Sequence, residues 1–499
     1  LAGYEDMTLD ELKNFRQLGS RTAGHPEYGF AKGIETTTGP LGQGFGNGVG
    51  MALAAHMMAA RFPGLFDGRV YAIVSDGDMM EGVASEAASF AGHHKLGRIV
   101  YFYDDNNISI EGRTDITFSG ENVAKRFEAY GWHVVPKVDG HDFDQLNEAI
   151  AAAKADDRPS LICTRTVIGY GAPNKKDTPG VHGSALGPDE IVLAKKELGL
   201  DPEQEFVVPD TDRDAWKKRA EEGAKLSKAW HNKLDSMSPA KREELDVYIK
   251  KPTADLKAHR PKPDIGKAIA TRKSAGAAQN AYAGAAPWLV GGSADLAPST
   301  NTLIKDAESI AAGSFKGCNI HFGVREHGMG SIMNGMALYG TFKPFGATFL
   351  QFADYMRPSL RLAALSHAPV IYVFTHDSIF LGEDGPTHQP VEHLAALRAI
   401  PNLEVFRPAD SEEAAVAWEF ALTHRDGPVA MALTRQNVPS PDRAGEGLGS
   451  AEGLLKGGYV LKKESGEKPH VILIATGSEV PLAVEAAKKM EAEGSSVRV

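Results

Sequence analysis

Short apolar runs alternate along the chain with longer segments of mixed polarity. Within residues 69–107, an apolar run at Val70–Val74 leads into a polar turn, and a second run at Ile99–Tyr103 stops at two Asp and two Asn residues. The small-residue segment between them predicts a helix over about Met80–Lys95, ended by Gly97. This order predicts a β-α-β unit whose strands both end in acidic and amide side chains.

The alternation continues on both sides of this unit. Small and apolar residues predict a helix over about Phe45–Arg61, and Leu161–Thr164 predicts another buried strand. Two charged amphipathic helices, Ala215–Leu234 and Ala240–Ile249, lack a persistent heptad, so we expect a helical tail on the first sheet and not a partner-binding coil. The Pro- and Lys-rich stretch Lys250–Pro263 predicts a linker.

Four later strands also end in polar clusters. The clusters are Gly291–Asp295, Gly323–His327, Thr375–Ser378 and Thr434–Asn437. One such cluster would be a helix cap or a turn, but their recurrence favours a common ligand-binding edge. A further strand and turn at Val471–Glu479, followed by a helix to about Met490, open a third unit.

These patterns predict an α/β fold with two consecutive parallel-sheet domains and the start of a third α/β domain. The expected bounds are 1–236 for the first domain with its helical tail, 237–445 for the second with its linker, and 446–499 for the third. Because Leu1 is not an initiator methionine and Ser495–Val499 resembles a strand just beginning, we expect a longer natural protein. The chain would then lack an N-terminal segment and most of the third domain.

Composition narrows the classes of function. The 499 residues are 42% hydrophobic and 24% charged, which is ordinary for a globular protein. A net charge of −11 argues against nucleic acid or an anionic membrane as partner. Cys163 and Cys318 are the only cysteines, and no signal peptide or membrane-length apolar run is present. We therefore expect a reducing, cytoplasmic location.

The polar ends of the first two strands suggest a metal site. Asp76 and Asn106, thirty residues apart, offer the hard oxygens that suit Mg²⁺. Gly77 lets backbone approach a phosphate at the start of a helix. The alternative is that Asp76 is a helix N-cap and that the Asn pair is an ordinary turn. Either end alone favours this alternative, but the two together favour a metal-bound diphosphate.

Two loops are further candidates for binding. The glycine-rich turn Thr38–Gly44 could be only a well-made helix start, although its glycines would also admit a large planar ligand. The loop Gly169–Gly183, which contains His182, is either a mobile lid or a solvated surface loop. His25 by itself would be structural or exposed.

Ser75–Gly77 and the later Asn pair are similar to the thiamin diphosphate signature, in which Gly-Asp-Gly precedes Asn-Asn by about thirty residues. Ser75 stands where the first Gly is usual. With this signature, six further motifs make essentially the whole chain resemble the transketolases. The six motifs are Gly24–Pro26, Thr38–Gly44, Gly292–Leu296, Arg325–His327, Thr375–Ser378 and Gly382–Pro390.

The resemblance implies an activity and an assembly. Transketolases transfer a two-carbon ketol unit from a ketose phosphate to an aldose phosphate, using thiamin diphosphate and Mg²⁺, which Ca²⁺ or Mn²⁺ can replace. Xylulose 5-phosphate is an example of a donor, and ribose 5-phosphate and erythrose 4-phosphate are examples of acceptors. The two large domains would be the diphosphate-binding and pyrimidine-binding domains of a homodimer with active sites at the subunit interface.

The resemblance also assigns cofactor roles. Asp76, Asn106 and the Ile108 carbonyl would bind the metal. The residues at the cofactor would be Gly39, Leu41, Gly77, His182, Glu326, Phe349, Phe352 and Tyr355. Glu326 would pair with the aminopyrimidine ring and help to remove a proton from the thiazolium carbon. Without the resemblance, Glu326 would be a first-turn carboxylate favoured by the helix dipole, and the aromatic residues would be core.

Substrate roles follow in the same way. Arg272, Ser299, His376 and Arg435 resemble a sugar-phosphate grip, since guanidinium groups bind phosphate through two hydrogen bonds. His25, His182 and His388 resemble the histidines around the reacting carbons, and Asp384 resembles the carboxylate that contacts a donor hydroxyl. The predicted catalytic residues are Glu326, His376, His388, His182 and His25. Alone, Arg272 and Ser299 would be surface residues.

Other functions remain as alternatives. Dihydroxyacetone synthase and 1-deoxyxylulose 5-phosphate synthase are thiamin enzymes of similar chemistry, and the histidine set with Arg272 and Arg435 favours two phosphorylated sugars over pyruvate. A catalytically silent cofactor-binding scaffold would be expected to lack Asp76 or Glu326, and both are present.

Overall fold

The computed structural model describes residues 1–499, which divide into two compact units. The first unit comprises residues 1–243 with 311–315, and the second comprises residues 244–310 with 316–499. Each is built around a parallel β-sheet with helices. The predicted α/β class with parallel sheets is therefore confirmed. None of the helices has the length and apolar character that crossing a membrane requires.

The first unit has a four-stranded parallel sheet of order β1-β2-β4-β3. Its strands are β1 (Val70–Ser75), β2 (Ile99–Asp105), β3 (His133–Asp139) and β4 (Ser160–Arg165). The helices of this part of the chain are α1 (Leu9–Lys13), α2 (Gln43–Arg61), α3 (Asp76–Met80), α4 (Gly82–His93), α5 (Asp115–Phe118), α6 (Val123–Ala129), α7 (Phe143–Ala155), α8 (Pro188–Glu197), α9 (Asp210–Asp235) and α10 (Pro239–Lys250).

Small residues let helix α2 pack closely on the sheet. The Tyr101 hydroxyl donates a hydrogen bond of 2.8 Å to the Phe45 carbonyl. A Cβ atom at Gly48 would lie 2.1 Å from that hydroxyl oxygen, so a larger residue there would displace the helix. The Ala, Gly and Met composition of this segment therefore predicts its buried position as well as its helical structure.

The helix predicted over about Met80–Lys95 is present as α4, which begins and ends within two residues of those bounds, and the short helix α3 precedes it. Ser75 and Asp78 make a reciprocal capping box that starts α3 at Asp76. Glu81 then adopts an extended conformation and breaks the helix. Position 97 requires glycine because of a close contact and not because of the helix end, which lies at His93. A Cβ atom on Gly97 would lie 2.3 Å from the Asp157 carbonyl oxygen.

The helical tail is less buried than expected. Leu234 is the one buried residue of α9. The Trp230 indole donates to the Leu65 carbonyl at 3.0 Å, and Lys233 donates to the Gly64 carbonyl at 2.9 Å. The tail thus contacts the loop between α2 and β1, whereas the sequence predicted packing on the sheet. Its mostly charged surface offers little apolar area for the sheet to cover.

The second unit has a six-stranded parallel sheet of order β10-β11-β9-β8-β6-β7. Its strands are β6 (Leu289–Ser293), β7 (Asn319–His321), β8 (Lys343–Phe349), β9 (Ile371–Thr375), β10 (Glu404–Phe406) and β11 (Val429–Leu433), and β5 (Ala268–Ile269) pairs antiparallel with β12 (Val438–Pro439). The helices are α11 (Thr271–Ala283), α12 (Ala297–Thr300), α13 (Glu326–Tyr339), α14 (Ala353–Leu365), α15 (His393–Arg398), α16 (Ser411–Thr423) and α17 (Glu479–Ala492).

The stretch predicted as a linker is anchored in the second unit. Leu256 is buried, and Arg260 lies between the Glu419 and Glu452 carboxylates at 2.6 Å and 2.5 Å. Near the end of the chain, β13 (Val471–Ile472) pairs in parallel with β14 (Val497–Arg498). The strand and helix predicted there are thus present, although the strand is shorter than the apolar run that predicted it.

Candidate active site

Parallel pairing brings the polar ends of β1 and β2 to one edge of the first sheet. Ser75 lies opposite Asp104 in the register of the two strands. Asp76 and Asn106 therefore follow directly at the same edge, as the sequence predicted. Ser75 is the helix cap and Asp76 is the first helical residue, so the alternative that Asp76 serves as the N-cap is wrong.

Asp76 is a buried carboxylate with an unused oxygen. The Tyr103 hydroxyl donates to Oδ1, whereas Oδ2 is buried without a hydrogen-bond partner. Burial raises the pKa of Asp76, and the nearby Asp105 and Asp104 carboxylates raise it further. An unpartnered carboxylate oxygen among other carboxylates is the environment that a bound cation would stabilise.

The turn after β2 is held by its own side chains. The Asn106 amide oxygen accepts a hydrogen bond from the Ile108 N–H at 2.9 Å, and the amide nitrogen donates to Asp104 at 3.2 Å. Asn107 has a φ of 58°, a left-handed conformation that Asn tolerates better than most residues. The turn thus fixes Asn106 beside the Asp76 edge before any ligand binds.

The glycine-rich loop is fastened to the start of α3. The Gly42 N–H donates to Asp78 Oδ1 at 2.7 Å. A Cβ atom at Gly77 would lie 2.8 Å from a Leu41 methyl group. The loop therefore holds Leu41 over Gly77, which has no room for a side chain.

A cavity of about 1290 Å³ opens along this edge. Its lining includes the predicted residues Leu41, Asp76, Gly77, Asn106, Ile108 and His182. His25 and Gly39 do not line it, although the His25 ring lies 3.3 Å from the position of a Cβ atom on Gly39. The unpartnered Asp76 oxygen, the amide oxygen of Asn106 and the bare Gly77 backbone fit a metal-bound diphosphate.

At the second sheet, Glu326 begins helix α13. Its side chain is buried and accepts a hydrogen bond from the Thr348 hydroxyl at 3.3 Å. Burial raises its pKa above the ordinary value, and the backbone and Thr348 hydrogen bonds only partly oppose this. Such a carboxyl group is suited to hold a proton and donate a hydrogen bond.

Aromatic rings follow the end of β8. The Phe349 and Phe352 rings are nearly parallel, with centroids 5.9 Å apart and an interplanar angle of 14°. Tyr355 meets Phe352 edge-on at 6.0 Å but is 67% exposed. The structure thus brings Phe349 and Phe352 together and leaves much of Tyr355 at the surface.

His376 lies at the centre of the second edge. Its ring stacks on Phe349 with centroids 3.7 Å apart, and its Nε2 lies 3.5 Å from Arg272 Nη1. Arg272 also donates to the Ser299 carbonyl at 2.7 Å. Burial, reinforced by the Arg272 charge, lowers the pKa of His376 to about 4. His376 is therefore neutral at physiological pH and faces a cation.

Three further predicted substrate residues, His388, Asp384 and Arg435, lie near His376, whereas His25 and His182 belong to the first unit. His388 meets the Phe352 ring at 5.3 Å, and the charge of Asp384 acts on both His376 and Arg272. Arg435 lowers the pKa of His376 from nearby but is ion-paired with Glu383. A guanidinium in such an exposed pair can exchange its carboxylate partner for another anion.

Several residues at these edges were missed from the sequence. Tyr103, near the end of β2, and Asp78, in the first turn of α3, hold the first edge, and the nearness of both to predicted strand ends is a signal present in the sequence. A second group, Asp354, Glu392 and His393, has ligand atoms within 4.8 Å of one another. The spacing along the sequence does not indicate this group, because Asp354 in α14 is far along the chain from Glu392 and His393 at the start of α15. The Asp354 carboxylate lies within hydrogen-bond distance of His393 Nε2, at 3.1 Å.

Three family models match successive parts of the chain. The family described as transketolase, thiamine diphosphate binding domain matches residues 1–253, and the transketolase pyrimidine binding domain matches residues 267–441. The transketolase-like C-terminal domain matches residues 457–499. The chain belongs to the transketolase family.

Relatives in the transketolase family match along the whole chain. Transketolase 1 of Aliivibrio fischeri is 49% identical over 100% of this chain and 76% of its own length. A transketolase of Geobacillus stearothermophilus is also 49% identical, with the same coverage. Identity at this level over the full chain supports transketolase function.

Solved transketolase structures share the fold. The Leishmania mexicana enzyme matches with a TM-score of 0.95 and 41% identity, covering 100% of this chain and 74% of that chain. A Pichia stipitis transketolase in complex with sedoheptulose 7-phosphate matches with a TM-score of 0.94 and 41% identity, covering 100% of this chain and 75% of that one.

Proposed function

We propose that this chain transfers a two-carbon ketol unit from a ketose phosphate to an aldose phosphate, with thiamin diphosphate and Mg²⁺ as cofactors. The observation that carries the proposal is the 49% identity to a named transketolase across the full chain. The two strand-end clusters support it, because one offers oxygens for a metal and the other offers cations for a phosphate.

The first edge would hold the cofactor's diphosphate. We assign Asp76, Asn106 and the Ile108 carbonyl to a Mg²⁺ ion, with Ca²⁺ or Mn²⁺ as substitutes. Gly77 leaves space for the diphosphate, and Leu41 and Gly39 support the rings. When bound, thiamin diphosphate supplies a nucleophilic carbon that also stores the electrons released when the ketose is cleaved.

Glu326 is assigned to proton control at the aminopyrimidine ring. Its raised pKa keeps the carboxyl group protonated to higher pH than an exposed glutamate. It would therefore donate a hydrogen bond to a nitrogen of the bound aminopyrimidine ring, and in this way Glu326 would control the protonation of that ring. Phe349, Phe352 and Tyr355 would bind the same ring by stacking.

The second edge would bind and orient the sugar phosphate. Arg272, Ser299, His376 and Arg435 are assigned to the phosphate group, and Asp384 to a donor hydroxyl. His25, His182 and His388 are assigned to the reacting carbons, where an imidazole can hold or pass a proton. The neutral His376 ring and the Arg272 and Arg435 guanidinium groups would orient the substrate. The buried Phe349 ring would exclude water from one side of it.

Assembly, domain division and location form part of the same proposal. We infer a homodimer in which the first unit of one copy and the second unit of another form each active site. We keep the division into residues 1–236, 237–445 and 446–499, and a cytoplasmic location, which the free cysteines Cys163 and Cys318 support. Sedimentation analysis with and without cofactors would test the dimer, and a monomer under both conditions would refute it.

The deciding experiment is release of glyceraldehyde 3-phosphate from xylulose 5-phosphate plus ribose 5-phosphate, with and without thiamin diphosphate and Mg²⁺. We expect release that requires both cofactors and the aldose. Parallel reactions with formaldehyde as acceptor test the dihydroxyacetone synthase alternative. Turnover with formaldehyde but not with ribose 5-phosphate would replace the proposal, and no turnover in any reaction would support a silent scaffold.

A further inference from the structure

One buried arginine joins the second sheet edge to the C-terminal part of the chain. Arg407 follows β10, and its side chain is only 7% exposed. Its Nε donates to Asp377 Oδ2 at 2.7 Å, and the Asp377 side chain is fully buried. Asp377 immediately follows His376, so this ion pair lies one residue from the centre of the candidate site.

The other side of Arg407 is enclosed by the turn Thr476–Glu479. Its guanidinium donates to the Thr476 carbonyl at 2.9 Å, to the Ser478 hydroxyl at 3.2 Å and to both carboxylate oxygens of Glu479. The Gly477 N–H donates back to the Arg407 carbonyl at 3.1 Å.

Gly477 is fitted to this contact. It has a φ of 56°, and a Cβ atom on it would lie 2.7 Å from Arg407 Nε. A side chain at this position would therefore be strained and would also push against the guanidinium. The conformation of the Thr476–Glu479 turn is therefore fitted to the Arg407 side chain.

His376 needs such support, because its backbone is strained. Its φ of 60° lies in the left-handed region, which is unfavourable for a residue with a side chain. This conformation stacks the ring on Phe349, and a hydrogen-bond contact of 2.9 Å with the Thr375 hydroxyl fixes the ring orientation. A strained residue keeps its conformation only when its neighbours are held rigidly.

We infer that Arg407 is a positioning residue for ketose phosphate binding. By fixing Asp377 against the Thr476–Glu479 turn, it holds His376 in the left-handed conformation that points its ring at the site of the sugar phosphate. The C-terminal segment thereby contributes to the substrate site without touching substrate. The inference rests on the proposed function for the identity of the ligand.

A second buried arginine provides a matched control. Arg443 is 5% exposed and pairs with Asp410 and Glu413 at 2.6 Å and 3.0 Å. It lies in the same unit and in a similar network, but none of its partners adjoins a residue assigned to cofactor or substrate. Weakening the hydrogen bonds of Arg443 therefore measures the effect on KM and kcat of disturbing a buried ion pair that does not adjoin the candidate site.

The test compares Arg407→Lys and Glu479→Gln with Arg443→Lys in the full chain. For each, KM and kcat are measured with xylulose 5-phosphate and with unphosphorylated xylulose, and the affinity for xylulose 5-phosphate is measured by calorimetry. We expect Arg407→Lys to raise KM for the phosphorylated ketose about tenfold, within the roughly 10²-fold that a 1 Å misplacement can cost. Glu479→Gln should give a smaller rise, and Arg443→Lys none.

Each outcome decides the inference. A rise confined to the phosphorylated ketose, with unchanged thiamin diphosphate affinity, supports it. Equal losses with both ketoses, or equal effects of Arg407→Lys and Arg443→Lys, would show that the ion pair only stabilises the fold. If the parent chain shows no turnover, the proposed function fails separately, and calorimetry still decides whether Arg407 controls phosphate affinity. If Arg407→Lys does not fold, Glu479→Gln tests the same ion-pair network from its other side.

Discussion

The carboxyl edges of the two parallel sheets share a geometry but differ in charge. At the first edge, Asp76 lies among other carboxylates, and one of its oxygens is buried without a partner. At the second edge, the neutral ring of His376 lies against Arg272, and the charge of Arg435 also acts on it. The first edge thus gathers carboxylates, whereas the second gathers guanidinium groups around a neutral imidazole, with Asp384 and Glu383 nearby.

This difference separates architecture from ligand chemistry. Parallel strands followed by helices place polar side chains at one edge in both units. The side chains then decide what binds, because carboxylates attract a metal ion and guanidinium groups attract a phosphate. Four substitutions test this contrast, from the largest expected effect to the smallest.

Glu326→Gln should have the largest effect. Loss of a group that controls a proton typically lowers turnover by about 10²–10⁴-fold, whereas Gln keeps the size of the side chain and its contact with Thr348. Steady-state kinetics at saturating cofactor would give kcat, and fluorescence titration would give thiamin diphosphate affinity. Unchanged kcat would remove Glu326 from the mechanism and leave the second edge with a purely binding role.

Asp76→Asn tests the first edge. Removing the carboxylate should weaken Mg²⁺-dependent thiamin diphosphate binding by more than about 10²-fold, because even residues that only support a metal ligand contribute 10–100-fold. Asp142→Asn is the matched control, since Asp142 caps α7 in the same unit and Asn caps equally well. Equal affinities of the two variants would show that Asp76 does not bind the metal.

Arg272→Lys tests the phosphate grip of the second edge. Lysine keeps the charge but cannot make two parallel hydrogen bonds, so KM for a ketose phosphate should rise about tenfold. Arg260→Lys is the control, because Arg260 is ion-paired with Glu419 and Glu452 in the same unit. A rise in KM that is equally large for an unphosphorylated ketose would contradict phosphate recognition.

His376→Gln tests the electrostatics of the second edge through pH. The folded pKa of His376 is lowered from 6.5 to about 4, so the unfolded state takes up a proton first as the pH falls. This histidine thus costs stability below pH 6.5, and its removal should recover about 2.5 kcal/mol near pH 4.5. Thermal unfolding from pH 7 to 4.5 measures the difference between variant and parent.

His56→Gln is the control for that measurement. Burial also lowers the pKa of His56 to about 4, so this variant should gain stability in the same pH range. Only His376→Gln should weaken ketose phosphate binding, by roughly tenfold for one lost polar contact. Loss of affinity in both variants would mean that stability and not a local contact controls binding.

The sequence predicted the positions of the candidate residues better than their surroundings. Asp76 and Asn106 were placed at one edge because parallel strands carry their ends to the same side. The sequence predicts α4 but not the preceding helix α3, which depends on the Ser75–Asp78 capping box and ends where Glu81 becomes extended. Helical spacing groups Tyr355 with Phe349 and Phe352. Spacing does not reveal that Tyr355 is largely exposed, because exposure depends on which residues pack over that surface.

The amino-acid sequence by itself determined the alternation of strands and helices, the polar residues at the strand ends and membership of the transketolase family. These depend on local turn chemistry, side-chain periodicity and motif spacing. Only the tertiary structure decided that Asp76 keeps an unpartnered oxygen, that His376 lies neutral beside Arg272 and that Arg407 fixes Asp377. Burial and charge act through space and not along the chain. Arg272 and His376 are 104 positions apart in the sequence, and Asp377 and Arg407 are 30 positions apart.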